Sequence, residues 1–200
     1  MSSEIKVNSI QDNTGTRVLA SDSGSAWSWG SGIPEKSVLQ VVTNTDNTKS
    51  ATVVNDDPWN YSQLNTAITL KKANSKVLVH FNFGAVSFQT NGQLGYGLIM
   101  FKIGSGSYSD LTPRGAVDVT VNDKFHHMAV NLTSQTYQVD VGASMIGVHT
   151  TSSAKDIVLT YAPYFYGEAD TAKVFINQNS RNSGNDFSTI SSCTLMEIAT

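Results

Sequence analysis

Short apolar runs in this chain alternate with polar residues at every second position, which is the side-chain period of a β-strand. In one such run Val77, Val79, Phe81 and Phe83 would line one face of a strand. Clusters of Gly, Asn, Asp and Ser separate the runs and favour turns. The predicted strands lie near residues 37–42, 64–70, 77–83, 97–103, 117–121, 137–141, 157–159, 161–166, 173–177 and 194–198.

No stretch of helical periodicity is long enough to form a crossover helix, so the strands are expected to pair antiparallel. We therefore predict an all-β fold, an antiparallel β-sandwich of jelly-roll-like or related Greek-key type. A chain of 200 residues is long enough to bury one core without disulfides or metals. The turn Asp and Asn residues could also be read as calcium ligands, but no Asp-x-Asp-x-Asp-Gly loop is present.

Charge is sparse and excludes some partners. Charged residues make up 14% of the chain and the formal net charge is −3, with the 13 basic residues scattered. Nucleic-acid binding needs clustered Lys and Arg, so we expect no nucleic-acid partner. No secretory leader and no apolar run of membrane-spanning length is visible, so we expect synthesis in the cytoplasm and no membrane insertion. The single cysteine, Cys193, is expected to be a buried, unreactive thiol.

Residues 1–33 differ from the rest and are predicted to form an extended N-terminal arm, with residues 34–200 forming the β-sandwich domain. The arm is mostly Ser, Gly, Thr, Asp and Asn. Such a segment cannot bury enough apolar area to fold alone, so it is expected to dock on another chain. Its candidate anchoring residues are Arg17, Leu19, Trp27 and Trp29. The alternative is an arm folded back on its own domain.

No catalytic or metal-binding constellation is recognisable. The nearest approach to a nucleophile elbow surrounds Ser144 and lacks its second glycine. The four histidines lack the spacing of a zinc protease, so we expect no metal, no cofactor and no enzymatic activity. A glycan hydrolase would need paired carboxylates, and the sequence pairs none of its candidates. Those carboxylates are Asp56, Asp57, Asp110, Asp118, Glu168 and Asp170.

Four aromatic residues close to turn signals are candidates for receptor binding: Trp59, Tyr61, Tyr108 and Tyr164. Aromatic rings with a polar tip suit a carbohydrate or protein surface site. The alternative is that these rings fill the sandwich core or an interface between subunits.

Residues 5–11, 15–32 and 38–42 resemble virion structural proteins of marine tailed bacteriophages, cyanophages included, many of which are described as tail fibres or fibre-like proteins. Residues 188–190 and 193–199 are similar to the closing strand of the same group. The resemblance implies a homotrimeric β knob that is carried by the N-terminal arm and displayed on a virion.

We therefore expect a phage appendage protein whose arm binds another virion protein, of the tail or the capsid, and whose knob binds a host receptor or glycan. The alternative is a capsid or tail decoration or adaptor protein with a purely structural role. The absence of a long coiled-coil or β-helical shaft favours this alternative.

Overall fold

The computed structural model describes the backbone of residues 9–11, 17–22, 26–29, 35–54, 58–89, 94–111, 128–131, 141–167, 173–178 and 188–200. These residues form β-strands and one 3₁₀ turn, Ser62–Leu64, and contain no α-helix. The strands are β1 (Ser9–Gln11), β2 (Arg17–Asp22), β3 (Ala26–Trp29), β4 (Val38–Asp46), β5 (Ser50–Val53), β6 (Trp59–Asn60), β7 (Thr66–Thr69), β8 (Lys76–Gln89), β9 (Leu94–Ile103), β10 (Ser109–Asp110), β11 (Met128–Asn131), β12 (Val141–Thr150), β13 (Val158–Gly167), β14 (Lys173–Ile176) and β15 (Ser191–Ile198).

The predicted extended arm contains a small antiparallel sheet. β1 pairs with β2, and β2 pairs with β3. In this register Leu19 lies opposite Trp29 and Ser21 lies opposite Trp27. Pairing of the three strands gives the arm backbone hydrogen bonds of its own.

Eight further strands form two facing sheets with the strand order of a jelly roll. Sheet I has the order β4-β15-β8-β12, and sheet II has the order β7-β13-β9-β11. All of these pairings are antiparallel. The predicted antiparallel β-sandwich is confirmed, and the strand order adds the jelly-roll topology that the sequence left open.

The remaining strands lengthen the two sheets. β8 is 14 residues long, and it pairs first with β15 and then with β14 along the same edge. β5 pairs with β14 and completes sheet I. In sheet II, β6 pairs with the end of β13 and β10 pairs with β9.

Aromatic rings from both sheets meet in one hydrophobic core. Phe83 of sheet I packs edge-on against Phe165 of sheet II, with ring centroids 5.2 Å apart. Phe88 and Trp59 also lie against the Phe165 ring. Phe83, Phe88 and Phe165 are fully buried, and burial of each such side chain contributes roughly 2–3 kcal/mol. One aromatic cluster within the core therefore joins the two layers.

Side-chain hydrogen bonds close one side of the sandwich, where β4 lies beside β7. The Gln40 amide donates to the Thr69 carbonyl oxygen at 2.6 Å. The Asn44 amide donates to the Gln63 carbonyl oxygen at 2.9 Å. The edge of sheet I is thereby fixed to sheet II and to the 3₁₀ turn.

A buried carboxylate fastens the last strand at this end of the sandwich. Glu197 has no exposed surface. It accepts hydrogen bonds from the backbone N–H groups of Lys71 and Lys72, from the Ser75 hydroxyl and from the Gln40 amide, at 2.6 to 3.1 Å. These donors satisfy a group that would be costly to bury alone.

Candidate functional site

The outer face of sheet II is unusually apolar. Alternation along β9 turns Ile99 toward the core and turns Leu98 and Met100 outward, and β13 likewise turns Tyr164 and Tyr166 outward. These outward side chains form a second hydrophobic cluster, separate from the core between the sheets. A sheet with a single buried face normally presents polar residues on the other. The outer face of sheet II departs from this pattern, and Tyr96, Leu98 and Tyr166 on it are buried within the chain.

Two tyrosine pairs organise this face. Tyr96 and Tyr166 lie opposite each other on β9 and β13, and their rings stack with centroids 4.9 Å apart. Both are buried. Tyr108 and Tyr164 meet edge-on with centroids 5.5 Å apart, and both remain half-buried. The second pair therefore keeps part of its ring surface exposed to solvent.

A cation lies beside the accessible pair. The Lys102 ammonium is 5.0 Å from the centroid of the Tyr108 ring, which is within the range of a cation–π interaction. We call Lys102, Tyr108 and Tyr164, with the neighbouring Met100, the tyrosine surface. It combines ring area, two phenol hydroxyls and one ammonium, which are groups that bind a carbohydrate or a protein.

The phenols of the tyrosine surface are neutral at physiological pH, as an ordinary tyrosine with a pKa near 10 is, and burial favours the neutral form further. It raises the pKa of the Tyr108 hydroxyl, and burial together with the neighbouring Tyr108 raises the pKa of the Tyr164 hydroxyl. A neutral phenol both donates and accepts hydrogen bonds. The tyrosine surface therefore presents two such groups throughout the physiological pH range.

The structure separates the four predicted receptor-binding residues into two pairs. It brings Tyr108 and Tyr164 together on the outer face of sheet II. It places Trp59 and Tyr61 against the core instead, with ring centroids 5.8 Å apart, and Tyr61 is 0% exposed. Tyr61 is therefore not part of the tyrosine surface, and its position matches the core alternative stated for these rings.

Polar contacts hold the Tyr61 hydroxyl in place. It donates a hydrogen bond to the Asp46 carboxylate, and it lies 2.7 Å from the Thr48 carbonyl oxygen. Burial and the adjacent Asp46 carboxylate raise the pKa of Tyr61. Burial raises the pKa of Asp46, but hydrogen bonds from Tyr61 and Thr48 outweigh it and lower the pKa overall. These contacts make Tyr61 a structural residue of the domain interior.

The predicted anchoring residues lie on the arm sheet. Arg17 and Leu19 lie on β2, and Trp27 and Trp29 lie on β3. Their backbone is described, whereas their side chains lie outside the described part of the structure. Their anchoring role stays a prediction.

Residues considered for catalysis or metal binding are not gathered in the described part of the chain. Ser144 lies within strand β12 and not on a turn. Asp110 lies on β10, and the described residues contain no group of three or more His, Cys, Asp or Glu side chains that could hold a metal ion. The other carboxylates and two of the histidines lie outside the described residues: Asp56, Asp57, Asp118, Glu168, Asp170, His126 and His127.

Two members of the tyrosine surface, Met100 and Lys102, were not identified from the sequence. The signal was available, because Tyr96, Leu98 and Met100 are apolar at the alternate positions of a strand whose other face is apolar as well. A strand with two apolar faces indicates contacts on both sides.

The described residues include no helix of the length and hydrophobicity needed to span a membrane.

No family model matches this chain, and no curated protein matches its sequence. Among solved structures, the chain is similar to VP2 in the crystal structure of an infectious bursal disease virus subviral particle, at 11% identity and a TM-score of 0.25, with 92% of this chain and 48% of that chain covered. It is also similar to a chain of the infectious bursal disease virus Gx strain, at 12% identity and a TM-score of 0.25, with 97% and 49% covered. This chain spans about half the length of these two solved chains.

Proposed function

We propose that this chain is a phage virion appendage protein of the tail-fibre type. In this proposal, residues 1–33 dock on a tail or capsid protein, and the jelly roll forms a trimeric knob that binds the host surface without catalysis. The tyrosine surface is the observation that carries the proposal. The sequence resemblance to virion proteins supports it, and the jelly roll agrees by analogy, since viral capsid and lectin domains use this fold.

Binding would rest on the half-buried rings of Tyr108 and Tyr164. Each ring supplies apolar contact area, and each hydroxyl supplies a directional hydrogen bond. The Lys102 ammonium adds a donor beside them. One such small surface binds weakly, and several copies on one particle can raise avidity by roughly 10² to 10⁴.

A cell-binding experiment tests this role. Fluorescently labelled full-length chain is incubated with a panel of marine cyanobacterial and other marine bacterial cells. We expect the chain to bind at least one strain, and we expect the double variant Tyr108→Ala/Tyr164→Ala to lose most of this binding. Ile103→Ala is the matched control, because Ile103 is exposed on sheet II outside the tyrosine surface. Equal binding by the double variant would overturn the role of this surface.

Anchoring would rest on the arm. Two large rings in an otherwise polar segment suit the centre of a docking contact. We expect Trp27→Ala/Trp29→Ala to release the chain from virions while the jelly roll stays folded, as judged by circular dichroism of the purified variant. Normal incorporation of the folded double variant would contradict the anchoring role.

A capsid or tail decoration protein is the second candidate. Exposed apolar side chains on sheet I, such as Ile146 and Val148, favour a role in lateral contacts. Immunogold labelling of intact particles separates the two roles. Label at the tail supports the appendage, and label spread over the head supports decoration.

A further inference from the structure

The outer face of sheet I carries a continuous row of apolar side chains, one from each strand. Val41 lies opposite Met196, Met196 lies opposite Leu78, and Leu78 lies opposite Val148. Directly opposite residues in antiparallel strands have side chains on the same face and in contact range. The row therefore crosses the full width of the four-stranded sheet.

This row is open to solvent at both of its ends. Val41 is 51% exposed and Val148 is 56% exposed, and Ile146, two positions along β12, is 57% exposed. Met145, the residue before Ile146 in β12, is fully buried in the core. β12 therefore places apolar side chains on both of its faces, although only the inner face is needed for the core.

Along β4, β15, β8 and β12, the described positions on the outer face of sheet I carry no negative charge. These positions are Val38, Val41, Thr43, Thr45, Lys76, Leu78, His80, Asn82, Ser144, Ile146, Val148, Thr150, Ser192, Thr194, Met196 and Ile198. Lys76 at one margin is the single fully charged side chain among them. A surface of this composition can meet its own copy without burying unpaired or opposed charges. It offers a strongly acidic or basic partner almost nothing to pair with.

The size of this face suits a weak contact between copies. Four strands spaced about 4.8 Å apart, each covered over about seven residues, span roughly 450 Å² in plan. A standard stable interface buries about 800 Å² per partner. The face is of modest extent beside such an interface, so association is expected at high local concentration, as on a particle that carries several copies.

We infer that the outer face of sheet I is the contact surface between copies of this chain. The inference rests on the proposed function, because it names the surface through which the displayed knobs of that proposal associate. The tyrosine surface lies on the outer face of the opposite sheet. Contact through sheet I therefore leaves Tyr108 and Tyr164 free for a receptor.

Sedimentation velocity of the purified full-length chain tests the inference. The protein concentration is varied from about 1 µM to about 1 mM, and the upper value is the effective concentration that a short tether provides. Over this range we expect the weight-average mass to rise from 21.5 kDa to at least twice that value. Ile146→Lys/Val148→Lys should remain at the mass of one chain. Ile103→Lys is the matched control, because Ile103 is 50% exposed on sheet II, and it should associate like the unaltered chain.

Two results would overturn the inference: a single-chain mass for the unaltered protein at every concentration, or undiminished association of the double-lysine variant. Circular dichroism establishes that each variant is folded. The variant Tyr108→Ala/Tyr164→Ala separates this inference from the proposed function, because it should lose cell binding and still associate. Loss of association in that variant would also contradict the assignment to sheet I.

Discussion

The Ser75 hydroxyl donates a 2.8 Å hydrogen bond to the Glu197 carboxylate, although the two residues lie 122 positions apart in the chain. The backbone N–H groups of Lys71 and Lys72 converge on the same carboxylate. The loop between β7 and β8 thus holds the last strand of sheet I through one buried anion. Charge-assisted hydrogen bonds of this kind are roughly twice as strong as neutral ones.

Replacing Glu197 by Gln should destabilise the fold by about 3 kcal/mol, because an amide N–H₂ would then face groups that are themselves donors. Urea denaturation of the two proteins measures the difference. The control is Glu35→Gln, since Glu35 is an exposed glutamate. A loss no larger than that of the control would show that the buried anion contributes little.

Gly95→Ala should destabilise the fold by about 2–3 kcal/mol through overpacking. A Cβ at Gly95 would lie 2.2 Å from the Cγ of the fully buried Phe88 ring, closer than any real contact. Gly142→Ala is the matched control, because a Cβ there meets its nearest atom at 3.7 Å. Equal midpoints of thermal unfolding for the two variants would contradict this packing.

His149 should make stability fall as the pH drops below 6.5. Burial lowers the pKa of His149 from its ordinary value of 6.5, and its Nδ1 lies 2.8 Å from the Tyr161 hydroxyl. Below pH 6.5 the unfolded chain therefore takes up this proton before the folded chain does, which favours unfolding. His149→Phe should reduce the dependence of stability on pH in this range. An NMR titration that places the His149 pKa at or above 6.5 would contradict this expectation.

Cys193 should resist thiol reagents while the protein is folded. Burial raises the pKa of its thiol to about 12, so little of it is thiolate at neutral pH, and the side chain has no exposed surface. Labelling by Ellman's reagent should therefore need unfolding by urea. Ile103→Cys adds an exposed thiol and should label at once. Rapid labelling of the unaltered folded chain would show that Cys193 is accessible.

Alternation along the chain was enough to predict the sandwich, because the core rests on strands with strong period-two patterns. In β9, the alternation of residues 97–103 predicts Ile99 and Phe101 on one face, and the structure packs both against the core. The long strand β12 was missed, since its run around Ser144 has small residues and weak alternation. It is a strand because it pairs with β8 along most of its length, a long-range relationship that no local pattern contains.

The candidate site was predictable only in part. Tyr108 and Tyr164 were both named from their chemistry, but sequence could not show that they meet. Tyr61 has the same chemistry, yet contacts with Asp46 and Asn177, far apart in the chain, place it in the interior. Whether a tyrosine is part of a surface or of the core is therefore decided by tertiary contacts.

Competition for adsorption tests the central claim most directly. Host cells are saturated with purified chain before phage particles are added, and the rate of particle adsorption is measured. The account predicts that saturation with the unaltered chain slows adsorption by at least tenfold. Saturation with the purified variant Tyr108→Ala/Tyr164→Ala should leave the adsorption rate unchanged. Undiminished adsorption in the presence of saturating unaltered chain would contradict it.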